Sequence, residues 1–303
     1  MAFASAEPSP APPAAAQLRP YSSPEHASFL WAGGAAVAIL IHGFPGTPAE
    51  MRPIGKLLHA QGWTVESNLL PGFGPEIAQI ADYRWEDWVA AVHATTARYV
   101  AQGRTLLLVG NSTGAAVAMA VAAQQQVAGL VLIAPFWRAH LRILDQLFPV
   151  LQPLLDRLRP FAQIDFTDEA ATKPLVNVLG PEADLTDPAT QTFIRNLPLP
   201  VTALAQVRRA GHHAYRVAPN ILVPALVLQG THDPVAHPRE THTLVRRLPK
   251  LTGYLEFNAD HDLVQKYNNN GLTNGVEGND LYIAQPIHRF TQQILNDPHH
   301  AHP

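Results

Sequence analysis

Apolar residues follow two rhythms along this chain. Short runs that are apolar and continuous, Ala35 to Ile41, Leu106 to Val109 after Thr105, Gly129 to Ala134 and Leu226 to Leu228, show no polar alternation. A strand of that kind is expected to be covered on both faces, as in a parallel sheet. Val65 to Leu70, closed by Pro71-Gly72-Phe73-Gly74, predicts a further strand, and a shorter segment, Tyr254 to Phe257, a last one. Between these runs apolar residues recur at helical spacing: Met51, Ile54, Leu57 and Leu58 within Ala49 to Gln61, then Trp85, Trp88, Val89 and Val92. Ala115 to Ala123 predicts a small-residue helix and Ile287 to Leu295 a closing one. Strands alternating with helices predict an α/β architecture, with a mostly parallel central sheet and helices on both faces.

The alternation breaks between Trp137 and about Arg216. There Leu144, Leu147, Phe148, Leu151, Leu154, Leu155 and Leu158 keep helical spacing, interrupted by Pro149 and Pro153. This segment, 137–216, is expected to be an inserted helical cap over a core made of 25–136 and 217–297. Its leucines and phenylalanine, set among charged residues, make it a candidate lid whose apolar face lines the site.

Where the strand runs end, the chain carries chemistry-bearing loops. Gly110-Asn111-Ser112-Thr113-Gly114 fits G-x-S-x-G, the turn that lifts a serine to the carboxyl edge of a sheet. Its glycines are steric requirements, because the strand and helix fold back on each other there. Serine is a weak nucleophile at neutral pH and needs a base, and the base needs a group to fix its tautomer. Asp233 follows one late strand and His261 the next, in the chain order serine, acid, histidine of doubly wound hydrolases. Asp260 and Asp262 flank His261, but neighbours in sequence usually point away from the intervening imidazole, so Asp233 is preferred. His42 is expected to brace its loop rather than take part in the chemistry, and His212, His213 and His232 to face solvent or the cap.

Five segments together resemble an α/β-hydrolase, and within it the bacterial carboxylesterase and monoacylglycerol lipase group. They are His42-Gly43-Phe44-Pro45-Gly46-Thr47-Pro48, Arg84-Trp85-Glu86-Asp87-Trp88, the serine pentapeptide, Gly230-Thr231-His232-Asp233-Pro234-Val235, and Asp260-His261. The resemblance implies Ser112 as nucleophile, Asp233 as acid, His261 as base, and backbone N–H groups of Phe44 and Thr113 as the oxyanion hole. Elementary geometry agrees: one donor comes from the residue after the nucleophile, the other from a loop after an early strand. Pro45 departs from the pattern without removing the Phe44 N–H. A stretch rich in asparagine and glycine, 267–278, is an extra loop, either reshaping the site entrance or disordered.

The resulting expectation is a serine esterase or lipase that cleaves a small-molecule ester, with an apolar acyl chain, through an acyl-enzyme. Thioesterase and acyltransferase activity would use the same residues. A binding protein on this fold usually lacks a triad member or an oxyanion glycine, and both are present. No cofactor is implied.

Composition narrows the partners. The chain has 303 residues, 47% hydrophobic and 15% charged, enough to bury a large core. A net charge of -3 and a pI near 6.6 argue against nucleic acid or anionic membrane as partner. The absence of cysteine excludes thiolate metal sites and cysteine nucleophiles, and fits a reducing, cytoplasmic setting. The fifteen histidines are scattered apart from His212-His213 and the tail cluster, so no metal site is expected. The Ala/Pro-rich start, 1–24, reads as a disordered arm rather than a signal peptide, and 298–303 as a tail. No apolar run reaches the roughly 18 residues of a membrane span.

Overall fold

The computed structural model describes residues 21–152, 157–159, 161–168, 172, 175, 184–197, 199–264 and 283–296. Residues 1–20 of the expected arm, the tail 298–303, the loop 267–278, and Leu154 and Leu155 of the cap stripe lie outside them. The strands are β1 (Phe29–Trp31), β2 (Val37–Ile41), β3 (Thr64–Ser67), β4 (Leu106–Asn111), β5 (Gly129–Ile133), β6 (Arg157–Leu158), β7 (Leu199–Pro200), β8 (Ala225–Gly230) and β9 (Leu251–Phe257). The helices are α1 (Pro48–Ala60), α2 (Trp85–Ala101), α3 (Thr113–Ala122), α4 (Arg142–Leu151), α5 (Pro188–Arg195), α6 (Val201–Val217), α7 (Pro238–Val245) and α8 (Ala284–Asn296).

Seven strands form one sheet in the order β1-β3-β2-β4-β5-β8-β9. Only β1 runs antiparallel, paired to β3 with Leu30 opposite Glu66; the other pairings are parallel. From β2 the chain steps outward to β3 and then returns to β4 on the other side of β2. The crevice outside the carboxyl ends of β2 and β4 is therefore a topological switch point, where sheets of this kind bind ligands.

The continuous apolar runs are explained by burial on both faces. In β4, Leu106 and Leu108 join one core cluster while Leu107 and Val109 join the other. The first cluster lies under α2, α3 and α6, with Trp88, Val92, Met119, Val207 and Ala214; the second lies under α1 and α8, with Met51, Ile54, Ile287 and Phe290. Trp88 is fully buried and its Nε1–H donates to Pro71 O at 3.2 Å, which meets the expectation of a core tryptophan.

Strand limits differ from the expected ones where side-chain pattern and backbone pairing part company. The run Val65 to Leu70 is a strand over Thr64–Ser67 only, because the Leu70 N–H turns away to His42 Nε2 at 3.1 Å. β9 begins at Leu251 rather than Tyr254: its first residues pair with β8 although none of the strand's residues is fully buried. The edge strand β1 was not anticipated, since three residues are too few to show a period.

Between β5 and β8 lie α4, α5, α6 and a two-residue antiparallel ladder of β6 with β7. α6 sits directly on α3, where Ala203, Ala210 and Ala214 are buried. α4 turns Asp145 inward, to Arg208 Nε at 2.9 Å and His212 Nε2 at 3.1 Å on α6, and leaves Ile143, Leu147 and Val150 exposed. Leu147 of the expected stripe is thus not spent on the core, and Leu158, expected to continue the helical spacing, lies exposed in β6 instead. Among the described residues no helix is long and apolar enough to cross a membrane.

Candidate active site

The site is built at the carboxyl ends of β2, β4, β8 and β9. β4 ends at Asn111, and Ser112 occupies the turn before α3 with φ 52° and ψ -115°. A positive φ is costly for a residue with a Cβ and persists only where surrounding structure imposes it. Here two glycines do so. A Cβ at Gly110 would overlap the backbone of Gly114 and Ala115, and one at Gly114 would overlap the carbonyls of Ile41 and His42. The Ser112 N–H is fixed to Ile133 O at 2.8 Å, and its side chain makes no cap bond to α3, so the hydroxyl is left for another partner.

That partner is His261, four residues beyond β9. Its Nε2 lies 2.9 Å from Ser112 Oγ and its Nδ1 lies 2.8 Å from Asp233 Oδ2. A carboxylate only accepts, so the proton sits on Nδ1 and Nε2 is left as the acceptor for the serine hydroxyl. Asp233, three residues beyond β8, is buried. Its Oδ1 takes the N–H groups of Val235 and Ala236, both at 2.8 Å, and its Oδ2 also takes Gln229 Nε2 at 3.1 Å. Gln229 is held in turn by Thr241 Oγ at 2.7 Å, so the carboxylate cannot rotate away from the imidazole. Burial alone would lower the His261 pKa, but the hydrogen bond and charge of Asp233, helped by Asp262 and Glu50, outweigh it and hold the pKa above the ordinary histidine value.

Phe44 lies in the loop after β2, its ring edge-on to Phe73 at 5.8 Å. Gly43 before it sits close to the serine turn, where a Cβ would come within 3.1 Å of Ser112 Cβ. Thr113 is the first residue of α3, whose leading N–H groups have no acceptor within the helix. The five residues singled out in the sequence are therefore gathered at one edge of the sheet, from four separate loops.

His42 is wholly buried. Its Nδ1–H donates to Gly43 O at 3.0 Å and its Nε2 accepts from Leu70 N–H. Desolvation pulls its pKa down to about 4, the Gly43 bond opposing, so it is a neutral brace of the loop. His232 is exposed, His212 pairs with Asp145, and His213 lies against Trp85 at 4.6 Å. Among the described residues no group of three or more His, Asp or Glu side chains is arranged to hold a metal ion.

Glu50 was missed. In sequence, Thr47-Pro48-Ala49-Glu50 has the spacing of a capping box, in which the glutamate would fold onto the Thr47 N–H. Its Oε1 instead accepts from Gly43 N–H at 2.5 Å and Asn111 Nδ2 at 3.1 Å. The local pattern signalled an inward-folded carboxylate but not the loop it would reach.

The sequence pattern of the family described as serine aminopeptidase, S33 matches residues 34–264, from before β2 to just past His261. The chain belongs to this family of α/β-hydrolases. Among relatives, a thermostable monoacylglycerol lipase of Bacillus sp. (strain H-257) is 31% identical over 86 residues, 28% of this chain and 34% of that protein. The match spans about a third of that relative's length. Among solved structures, one from work on the metagenome-derived lipolytic enzymes LipS and LipT is similar at a TM-score of 0.65 and 20% identity, covering 89% of this chain and 98% of that one. The monoacylglycerol lipase of Paleococcus ferrophilus is similar at 0.60 and 17%, covering 90% and 98%. At these identities the structural likeness shows the fold alone.

Proposed function

We propose that this S33-family hydrolase cleaves carboxylic esters through an acyl-enzyme on Ser112. The observation that carries the reading is the continuous bridge from Ser112 Oγ through His261 to buried Asp233, 2.9 Å and 2.8 Å long. In the proposed cycle Ser112 Oγ attacks the ester carbonyl while its proton passes to His261 Nε2. The N–H groups of Phe44 and Thr113 hold the oxyanion, a kind of contact worth about 3 kcal/mol or more of barrier. Collapse expels the alcohol, which takes the proton back from His261. Water then gives a proton to Nε2 and attacks the acyl carbonyl; collapse breaks the bond to Ser112 Oγ, which takes that proton back from Nε2, and the acid is released. Asp233 stays ionised and stabilises the imidazolium at each transfer. The similar proteins described as monoacylglycerol lipases or lipolytic enzymes support an ester with an apolar acyl chain.

The test is labelling with a fluorophosphonate probe, followed by p-nitrophenyl esters of graded length beside acyl-CoA substrates. The wild type is expected to label and to turn over esters, and Ser112→Ala to lose both while folding normally. Residual catalysis of about 10³-fold over water is still expected from the oxyanion hole and binding alone. Ester turnover retained within tenfold in Ser112→Ala would sink the assignment, and preferential turnover of acyl-CoA would move it to a thioesterase.

A further inference from the structure

We propose that Glu50 is a positioning residue that fastens the oxyanion loop to the serine turn. The inference rests on the reading of Ser112 as nucleophile and the Phe44 N–H as oxyanion donor. Glu50 occupies the first turn of α1, where a carboxylate usually faces solvent and complements the helix dipole. Here it folds back under the loop. One oxygen, Oε1, binds both Gly43 N–H at 2.5 Å and Asn111 Nδ2 at 3.1 Å. Gly43 immediately precedes Phe44 and Asn111 immediately precedes Ser112, so one atom ties together the neighbours of donor and nucleophile.

The loop is shaped to receive this carboxylate. A Cβ at Gly46 would overlap Oε2, so a side chain there would push Glu50 off its partners. From the other side, Tyr21 Oη–H donates to Pro45 O at 2.9 Å, and His26 Nδ1 meets Thr47 Oγ at 2.7 Å. The loop is thereby held along its length, with Glu50 making the connection to the turn. Burial of a carboxylate is unfavourable, and it raises the pKa of Glu50 despite the bonds from Gly43 and Asn111. Oxyanion donors act only within a narrow distance of the developing charge, and a misplacement of about 1 Å costs roughly 10²-fold.

The experiment compares the full-length wild type with Glu50→Gln, Glu50→Ala, Asn111→Ala and the control Ser112→Ala. It reads the rate of fluorophosphonate labelling at Ser112, kcat and KM with p-nitrophenyl butyrate, and the melting temperature. The Gln carbonyl keeps an acceptor for both donors; Ala removes it. Glu50→Ala is expected to lower the labelling rate and kcat about 100-fold with KM little changed, and Glu50→Gln to restore both to within about fivefold of wild type. A folded Glu50→Ala that labels within threefold of wild type overturns the proposal. So does a Gln variant that falls as far as Ala, since the charge and not the acceptor would then matter. If Glu50→Ala does not fold, Asn111→Ala decides: a loss of about tenfold supports the bridge, and a rate within twofold overturns it. A wild type that fails to label, or a Ser112→Ala variant that labels as fast, defeats the nucleophile reading and this role with it. Normal labelling in wild type and Glu50→Ala alike defeats the positioning role alone.

Discussion

Asp233, Asp260 and Asp262 are the aspartates near His261 in sequence or space, and they differ in what they reach. Asp233 bonds the Nδ1–H at 2.8 Å, whereas the Oδ1 of Asp260 takes the backbone N–H of Asp262 at 3.1 Å. Asp233→Asn is therefore expected to lower kcat by about 10⁴, because the amide favours the wrong tautomer, while Asp260→Asn and Asp262→Asn stay within tenfold. The pH profile carries a second expectation. Only neutral imidazole accepts the serine proton, so kcat/KM should rise as pH climbs through the His261 pKa. That pKa is raised, so the midpoint should lie above the roughly 6.5 of an unperturbed histidine. Asp262 contributes to the raising, so Asp262→Asn should move the midpoint to lower pH and leave the plateau in place. Initial rates from pH 5 to 9 check both, and a flat profile would count against His261 as base.

At the scale of elements, the β4 to α3 turn and helix α4 make separate predictions. Gly114 lies against the carbonyls of Ile41, the last residue of β2, and of His42, which follows it and is wholly buried. Gly114→Ala should cost about 1–3 kcal/mol in thermal or denaturant unfolding, and should depress probe labelling by displacing the serine. The turn was legible in sequence because glycine recurs on both sides of the serine, although only Gly110 is required by the local fold-back, Gly114 being required by the end of β2. Helix α4 was legible only in part. Its leucine spacing predicted a helix, but the inward group is Asp145, held by Arg208 and His212 from α6, far along the chain. If its exposed Leu147 and its neighbour Phe148 line the acyl pocket, each added methylene should improve kcat/KM about fourfold, from ~0.8 kcal/mol of burial, until the pocket is full. Leu147→Ala and Phe148→Ala should then shift the chain-length optimum across a series of p-nitrophenyl esters. Folded variants that both keep the wild-type optimum would remove the cap from the pocket.

For the molecule as a whole, the buried His42 links folding stability to pH. Its folded-state pKa of about 4 lies below the ordinary value of 6.5, so between those limits the unfolded chain binds the extra proton. Stability therefore falls as pH drops from 6.5 towards 4, by about 3 kcal/mol from this group if the full difference of some 2.5 pH units applies. Urea unfolding at pH 7 and pH 4.5 should show a smaller acid-induced loss in His42→Gln than in wild type. Equal losses in the two proteins would exclude His42 as the source.

The sequence by itself determined the alternation of strands and helices, the serine turn and the loops that carry Asp233 and His261. These rest on local causes: continuous apolar runs need two covering layers, and a tight turn needs glycine. It could not fix β1 or the first residues of β9, which are held by backbone pairing with β3 and β8 rather than by any side-chain period. Nor could it direct Glu50, whose capping-box spacing offered a partner three residues away while folding brought Gly43 and Asn111 within reach. The strand order decided that choice: with β4 laid beside β2, the loop after one strand and the turn after the other share a single carboxylate, and no local pattern encodes that contact.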